Sequence, residues 1–488
     1  MKLSVLSFVL ACVLLSASLI LASCGGDKGG DTPKATTAAA AEETTAGETE
    51  PQLEIPQVDY DGYAVKIITL KDYNGRFKLD MELDGDAMND AGYYRNLAME
   101  EQLNVTFEVT ENDGAPNVFT TAVMAGDHSC DYVFPHASSG VAGLVTSGVL
   151  LDWNKLAYTD FTKPWWNQAM TESLSIGGHL YYASGDIVMA WQGMMATLFN
   201  KTYPQLAALE KDLYDTVFDG EWTLDYMTKI VAGVSADLDG NGVMDKADQY
   251  GLLDNGGASY VYLYSCGQRV TVPDEDGYPR LALNNERTVS LVEKLYNLYY
   301  SGDVQLDSYS NASYPTSTYR DMLVEGRAFL ATLDIGGLYP NLREIEFDFG
   351  ILPMPKLDET QELYRVFCGA GLIGVASNIE DTERAGVIME SMAYHSYKFI
   401  RPAFFDIVLE NKAVRDDNSY KVIRMMHENK VFDFGFNFDA TGSAFGMIGQ
   451  VVVSKKSTDF VSHYTANEAK IAEGFDKIIE AVRLNEGD

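Results

Sequence analysis

The 488-residue sequence is poor in cysteine and in basic residues, and each shortage excludes a class of function. Five cysteines occur without a Cys-x-x-Cys pair, which excludes a zinc knuckle and a dithiol redox centre. We expect Cys130, Cys266 and Cys368 to be buried, reduced thiols. Lys and Arg number 36 against 71 Asp and Glu, which gives a formal charge of −35. So acidic a chain is not expected to bind nucleic acid or an anionic membrane surface directly.

Signatures of common hydrolases and of phosphate-binding enzymes are also missing. The sequence contains no Gly-x-Ser-x-Gly elbow, no His-Glu-x-x-His pair and no glycine-rich phosphate loop. We therefore expect a protein that is not an enzyme. An exported glycoside hydrolase stays an alternative, because such an enzyme needs only two carboxylates and the chain has 71 acidic residues.

One long apolar run is present, at the N-terminus. Residues 3–21 carry no charge, follow Lys2 and lead into Leu-Ala-Ser-Cys at residues 21–24. A basic start, an apolar core and a small-residue stop indicate a secretory signal peptide, residues 1–23, rather than a membrane span. The last four residues resemble the bacterial lipobox, which implies diacylglycerol and palmitate on Cys24. An ordinary signal peptide with an incidental cysteine is the alternative.

Residues 24–56 are rich in Gly, Thr, Ala and Glu and have almost no large apolar side chains. Such a segment cannot bury enough surface to order itself, so we expect a disordered tether. A lipid on Cys24 would then hold the protein at the cell membrane, on its extracytoplasmic face. Roughly 430 residues remain, enough for two domains of ordinary size.

Patterns typical of strands and helices alternate along this remainder, which indicates the α/β class. The opening β-α-β-α-β series is predicted at residues 65–70, 89–103, 104–109, 119–125 and 131–134. Later strands are predicted at 328–333, 348–355 and 372–376, a helix at 223–236, another from near Asp381, and a last helix at 466–484. The series favours a doubly wound sheet, in which ligands bind beyond the carboxyl ends of the strands.

Several short motifs resemble family 1 extracellular solute-binding proteins, the carbohydrate-binding components of ABC importers. They are Gly-His-Leu-Tyr-Tyr-Ala at residues 178–183 with Leu-Phe-Asn-Lys at 198–201, Glu-Trp-Thr-Leu-Asp at 221–225, and Phe-Gly-Ile-Leu-Pro-Met-Pro-Lys at 349–356. The resemblance implies a two-lobed periplasmic-binding-protein-like fold of type II, two doubly wound lobes joined by crossing hinge strands. It places lobe one at residues 57–185 plus 367–405 and lobe two at 186–366 plus 406–488.

The same resemblance implies a monomer that captures a sugar or oligosaccharide between its lobes and delivers it to an ABC permease. The sequence is also compatible with a lipoprotein that binds peptides or another solute, and with a surface adhesin. Sugars present flat apolar faces and hydroxyls, so their sites combine aromatic rings with polar groups. Trp191 is the strongest candidate for a ring platform, whereas Trp165 and Trp166 are interpreted as packing residues. The candidate ligand-binding residues are Asp72, Tyr73, His136, Trp191, Gln192, Tyr264, Asp334, Gly336, Phe434 and Phe436.

Residues 237–248, Asp-Leu-Asp-Gly-Asn-Gly-Val-Met-Asp-Lys-Ala-Asp, match the twelve-residue EF-hand loop, with Gly242 at the sharp turn. A set of oxygen ligands without thiolate or imidazole favours calcium. The twelfth position holds Asp where the pattern prefers Glu, and a strand pattern follows, so we expect one structural Ca2+ rather than a paired sensor. A solvated acidic turn without metal is the alternative. The predicted ligands are Asp237, Asp239, Asn241, Asp245 and Asp248, with the carbonyl of Val243.

Overall fold

The computed structural model describes residues 50–71, 79, 81–307, 317–336, 344–369, 371–405, 416–439 and 444–485. The signal peptide, Cys24, most of the tether, Asp72 and Tyr73 therefore lie outside the described residues. Within the described part of the chain, no helix has the length and apolar character needed to cross a bilayer.

The strands are grouped into two main sheets. In chain order they are β1 (Tyr63–Thr69), β2 (Val105–Glu111), β3 (Tyr132–Phe134), β4 (Met195–Asn200), β5 (Tyr250–Asn255), β6 (Thr271–Pro273), β7 (Pro279–Leu281), β8 (Val304–Asp307), β9 (Ala328–Asp334), β10 (Phe349–Pro353), β11 (Val366–Phe367), β12 (Gly374–Val375) and β13 (Lys430–Val431). The first sheet has the order β12-β3-β1-β2 and the second has the order β10-β4-β9-β5-β8. β6 pairs with β7, and β11 pairs with β13.

Helices cover the two sheets and connect their strands. In chain order they are α1 (Ala87–Leu103), α2 (Ala115–Met124), α3 (Val141–Thr146), α4 (Gln168–Leu174), α5 (Leu213–Phe218), α6 (Leu224–Val231), α7 (Tyr260–Ser265), α8 (Glu286–Tyr299), α9 (Ser317–Val324), α10 (Thr382–Pro402), α11 (Asp417–Glu428), α12 (Phe434–Asn437), α13 (Met447–Gly449) and α14 (Phe460–Asn485). Short 3₁₀ turns at Asp186–Val188 and Ala190–Gly193 lie between the first sheet and β4.

The first sheet is built as predicted from the opening series. β1 pairs in parallel with β2 and β3, because α1 and α2 carry the chain back between them. Val65, Ile67 and Ile68 of β1 are buried, as expected for an inner strand of this sheet. Helix α2 begins at Ala115 rather than at the predicted residue 119, since a proline is tolerated in the first turn of a helix and Pro116 stands there.

In the second sheet, β5 runs parallel to β8 and β9, while β4 runs antiparallel to β9 and β10. β9 is a continuous buried run from Ala328 to Leu333, the pattern of a strand covered on both faces. Helix α6 ends at Val231, five residues before the predicted end, and Gly233 just beyond it has a φ of 73°. The last helix starts at Phe460, six residues earlier than predicted.

Each sheet with its helices forms one lobe, which confirms the predicted two-lobed α/β architecture. The lobes share one compact unit from Pro51 onward. Helix α14 packs against α3 beside the first sheet and against α8 beside the second, so it contacts both lobes. The exact lobe boundaries stay predictions. Cys130, Cys266 and Cys368 are buried and form no disulfide within the described part of the chain, as predicted.

Candidate functional site

Two chain segments connect the sheets, residues 183–195 and residues 366–369 with 371–373, and they hydrogen-bond to each other in both lobes. On the side of the first sheet, the N–H of Ile373 donates to the carbonyl of Ala183 at 2.9 Å. On the side of the second sheet, the N–H of Gly369 donates to the carbonyl of Gly193 at 3.4 Å. The segments therefore form a paired hinge at which the two lobes meet.

The carboxyl ends of the strands lie at this hinge. His136 follows β3 and forms a β-bridge with Gly371, and its Nδ1 lies 3.2 Å from the Ser138 hydroxyl. Asp334 ends β9, and Gly336 follows it. The next backbone N–H after Asp334, that of Ile335, donates to the carbonyl of Met194 at 2.9 Å. The predicted positions of these residues at strand ends are confirmed, while their contacts with a ligand stay predictions.

The predicted aromatic ligands of the second lobe are buried instead of forming exposed platforms. Tyr264 stacks on Phe367 with ring centroids 5.2 Å apart, and Phe436 meets Phe367 edge-on at 4.8 Å. Phe434 stacks on Phe438 at 4.4 Å. In this arrangement Tyr264, Phe434 and Phe436 act as core residues, because other aromatic side chains cover their faces. Any ligand contact from them requires this cluster to open.

A pocket of about 430 Å³ lies beside the hinge, and its volume is within the range of small-molecule sites. We call it the junction pocket. Its lining comes from residues 164–172, from the first hinge segment, from Arg401 of α10, and from the end of α11 with the start of β13. Its principal side chains are Trp165, Trp166, Asp186, Trp191, Arg401 and Lys430.

Trp191 is in the wall of the junction pocket but is only 1% exposed. Its ring packs against Phe404 at 5.2 Å, and at this exposure it is not an open platform. The backbone of Gln192 lies in the same 3₁₀ turn. Trp165 and Trp166 are buried as predicted, and they also line this pocket.

Glu390 of α10 holds both of these tryptophans. It accepts hydrogen bonds from the Nε1–H groups of Trp165 at 2.8 Å and Trp166 at 2.7 Å. Burial raises the pKa of Glu390 to about 7, although these two donors oppose the shift. Glu390 was not predicted from the sequence, because nothing local distinguishes it from the other glutamates of an amphipathic helix.

An ion pair forms the inner end of the junction pocket. The Nη2 atom of Arg401 lies 2.8 Å from a carboxylate oxygen of Asp186 and donates to the carbonyl of Pro164 at 2.6 Å. Burial raises the pKa of Asp186, and the guanidinium of Arg401 opposes that shift. Lys430 and His427 also line the pocket. The sequence analysis did not single out Asp186, His427 or Lys430.

The calcium-like loop lies outside the hinge, between α6 and β5, and a bridge between Ala236 and Gln249 closes it. Asp237, Asp239 and Asp248 each place one carboxylate oxygen within 4.8 Å of the others. Asp248 is buried, and its oxygens accept from the N–H groups of Leu238 and Asp245 at 2.9 and 2.8 Å.

Other hydrogen bonds shape the same loop. The N–H of Gly242 donates to Asp237 at 2.8 Å, and this bond contributes most to a pKa of Asp237 below its ordinary value. The carboxylate of Asp245 and the amide oxygen of Asn241 accept from neighbouring N–H groups of the loop, while Val243 is exposed. The structure thus brings three of the predicted ligands together, and this oxygen set fits a hard cation such as Ca2+.

No protein-family model matches the chain, and no curated protein matches its sequence. Solved structures match its fold. A maltose/maltodextrin-binding domain from Bdellovibrio bacteriovorus, bound to maltotriose, is 13% identical with a TM-score of 0.52 over 87% of this chain and 100% of its own. An ABC substrate-binding protein from Listeria monocytogenes, in complex with cycloalternan, is 14% identical with a TM-score of 0.51 over 86% and 99%.

A cyclo/maltodextrin-binding protein complexed with maltotetraose is 13% identical, with a TM-score of 0.53 over 88% of this chain and 98% of its own. At these identities the likeness concerns the fold. It confirms the predicted two-lobed periplasmic-binding-protein-like fold across nearly the full length of each of these chains.

Proposed function

We propose that this protein is an exported solute-binding protein that captures a sugar or oligosaccharide between its lobes and delivers it to an ABC importer. The observation that carries the proposal is the fold. Two sheets meet with their carboxyl ends at a paired hinge, and this two-lobed fold is shared with three structures that hold oligosaccharides. No bond of the solute is made or broken in this function, so the protein is proposed not to be an enzyme.

The proposed mechanism is closure of the lobes about the hinge. A solute that contacts both lobes favours the closed form by the contacts it makes only there. The hydrogen bonds from Ala183 to Ile373 and from Gly193 to Gly369 hold the two segments together, which supports a rotation of the lobes about them. The closed form would dock on the permease, which is the proposed protein partner.

The proposed location is the extracytoplasmic face of the cell membrane, with diacylglycerol and palmitate on Cys24 as the anchor. The lipobox-like residues 21–24 support this location, and the low-complexity residues that follow leave a tether to the first described residues. Metabolic labelling with palmitate should mark the wild-type protein and not a Cys24→Ala variant. Equal labelling of both would refute the anchor.

The ligand class is tested by a thermal-shift screen of full-length protein with neutral and acidic oligosaccharides and with peptides. A ligand at 100 times its Kd stabilises the folded state by about 2.7 kcal/mol, which raises Tm by several degrees. We expect a rise with saccharides alone. A rise with peptides alone would favour the peptide-binding alternative, and release of reducing sugar from a polymer would favour the glycoside hydrolase.

We also propose that the loop of residues 237–248 binds one structural Ca2+. The convergent oxygens of Asp237, Asp239 and Asp248 support it, together with the match of the loop to the EF-hand spacing. Loss of the ion would leave these carboxylates to repel one another within one exposed loop.

The calcium proposal is tested by calorimetric titration of chelator-treated protein with Ca2+. Wild-type protein should bind one Ca2+, whereas the double variant Asp237→Asn with Asp239→Asn should bind none. Asp276→Asn, an exposed aspartate of another turn, is the matched control. Absence of Ca2+ binding by wild-type protein would leave the solvated acidic turn as the explanation.

A further inference from the structure

The inner end of the junction pocket holds more hydrogen-bond donors than the described chain satisfies. The side chain of Lys430 is 9% exposed, lines the pocket and has no hydrogen bond or ion pair with any described residue. The buried Nε of Arg401 and Nε1 of Trp191 also have no acceptor among the described residues. These donors belong to residues from distant parts of the chain that line one cavity, in whose wall the buried Oδ2 atom of Asp186 also has no hydrogen bond from a described residue.

An unpaired ammonium group in such a place destabilises the protein. Burying a charge without a partner is costly, and burial lowers the pKa of Lys430 to about 8. The group is still mainly protonated at pH 7. A hydroxyl could accept from these donors, but only an anionic group could also compensate the charge of Lys430.

The other charged groups around the pocket do not cancel the positive charge of Lys430. Asp186 forms an ion pair with Arg401 at 2.8 Å and also attracts Lys430, so one carboxylate faces two cationic side chains. Burial lowers the pKa of His427 to about 2, and its ring is therefore neutral. Glu172 and Glu428 line the pocket but are exposed, where water screens their charges. In a protein of net charge −35, the inner end is thus locally positive.

We propose that the solute is an acidic saccharide whose carboxylate binds Lys430 in the junction pocket. Uronic acids have this chemistry, because they carry a carboxylate directly on a sugar ring. The inference rests on the proposed function, since it assigns a chemical class to the solute held between the lobes. The Nε of Arg401 and the Nε1 of Trp191 are buried in the pocket walls, so the ammonium group of Lys430 is the proposed contact of the carboxylate.

The test is calorimetric titration of full-length protein with a panel of uronic-acid oligosaccharides, each paired with its carboxyl-reduced counterpart. The two members of a pair differ only in the carboxylate, so the comparison isolates that group. Wild-type protein should bind the acidic member about 10-fold or more tightly, the effect of one charge-assisted hydrogen bond. Lys430→Gln should abolish this preference, because it weakens binding of the acidic member more than binding of the reduced member.

Two further variants separate charge from packing. Lys430→Arg keeps the charge and should keep the preference. Lys470→Gln removes an exposed lysine on α14 and should change neither affinity. If Lys430→Gln does not fold, Lys430→Met replaces it, because it retains the apolar stem of the side chain. Far-ultraviolet circular dichroism of each variant establishes that the fold is intact.

Equal affinity for the two members of every pair, or an unchanged preference in Lys430→Gln, would overturn this inference and leave the proposed function standing. Tighter binding of sulfated sugars than of uronic acids would also overturn it, since the anion would then not be a carboxylate. Failure of every saccharide, acidic and neutral, to bind would refute the proposed function together with this inference.

Discussion

Replacement of Glu390 by Gln should change how the stability of the protein depends on pH. Glu390 is 2% exposed and accepts from Trp165, from Trp166 and from the backbone N–H of Asp160 at 3.2 Å. It therefore fixes two tryptophans that line the junction pocket. Gln keeps the shape of the side chain but does not titrate, so the difference between the two proteins isolates the charge of one buried carboxyl group.

The expected magnitude follows from the pKa of about 7 in the folded protein against 4.5 for an ordinary glutamate. The folded state holds the proton more tightly than the unfolded state between these values. The stability contributed by Glu390 is therefore fully present below pH 4.5 and is lost as the pH rises through 7. Between pH 5 and pH 8 the loss amounts to roughly 2 to 3 kcal/mol.

The assay is urea unfolding of wild-type and Glu390→Gln protein across this range. Subtracting one free energy of unfolding from the other cancels the titration of the remaining acidic groups. The free energy of unfolding of wild-type protein, minus that of Glu390→Gln, should decrease by roughly 2 to 3 kcal/mol from pH 5 to pH 8. Glu383→Gln is the matched control, because it changes an exposed glutamate of the same helix and no contact of Trp165 or Trp166. A difference that stays constant or grows with pH would refute the reasoning and show that Glu390 is ionised throughout.

Two further substitutions test the hinge and the buried aspartate that caps α12. A Cβ at Gly193 would lie 2.6 Å from the carbonyl oxygen of Gly369, so Gly193→Ala should push the two hinge segments apart. We expect the free energy of unfolding to fall by about 1–3 kcal/mol and saccharide binding to weaken in calorimetry. Gly143→Ala meets nothing within 4 Å inside a helix and should be neutral or slightly stabilising. Asp433→Ala removes the acceptor of four hydrogen bonds in a buried site and should cost about 3 kcal/mol or more in urea unfolding, whereas Asp276→Ala on the surface should cost little.

The strands and their order of appearance were predictable because burial imposes a local pattern. β1 and β9 are apolar runs bounded by polar or turn residues, and both were placed to within two residues. The residues that follow such strands were therefore also placed correctly, as His136 and Asp334 show. Helix ends were less predictable, since Pro116 and Gly233 act at single positions that the apolar pattern does not register.

The roles of individual aromatic residues were not predictable from local pattern. Phe436 and Tyr264 come from separate parts of lobe two, and each meets the same ring of Phe367 in the hinge segment. An aromatic run in a sequence is equally compatible with a core and with an exposed platform, because the two differ only in what covers the rings. That information lies in contacts between residues about 70 and about 100 positions apart.

Lys430 was not predicted from the sequence for the same reason, because its surroundings depend on contacts between residues that are distant in sequence. These contacts also bear on its proposed role. In the sequence Lys430 stands among polar residues after α11 and has the features of an ordinary surface lysine. It is buried where β13 pairs with β11 at the hinge, a contact between residues distant in sequence. A charge buried at a hinge is sensitive to the angle between the lobes, since rotation alters both its exposure to water and its distance from Trp165 across the pocket. A solute that contacts Lys430 in the closed form and not in the open form therefore favours closure. A solute that contacts one lobe alone would bind both forms equally and would not favour closure.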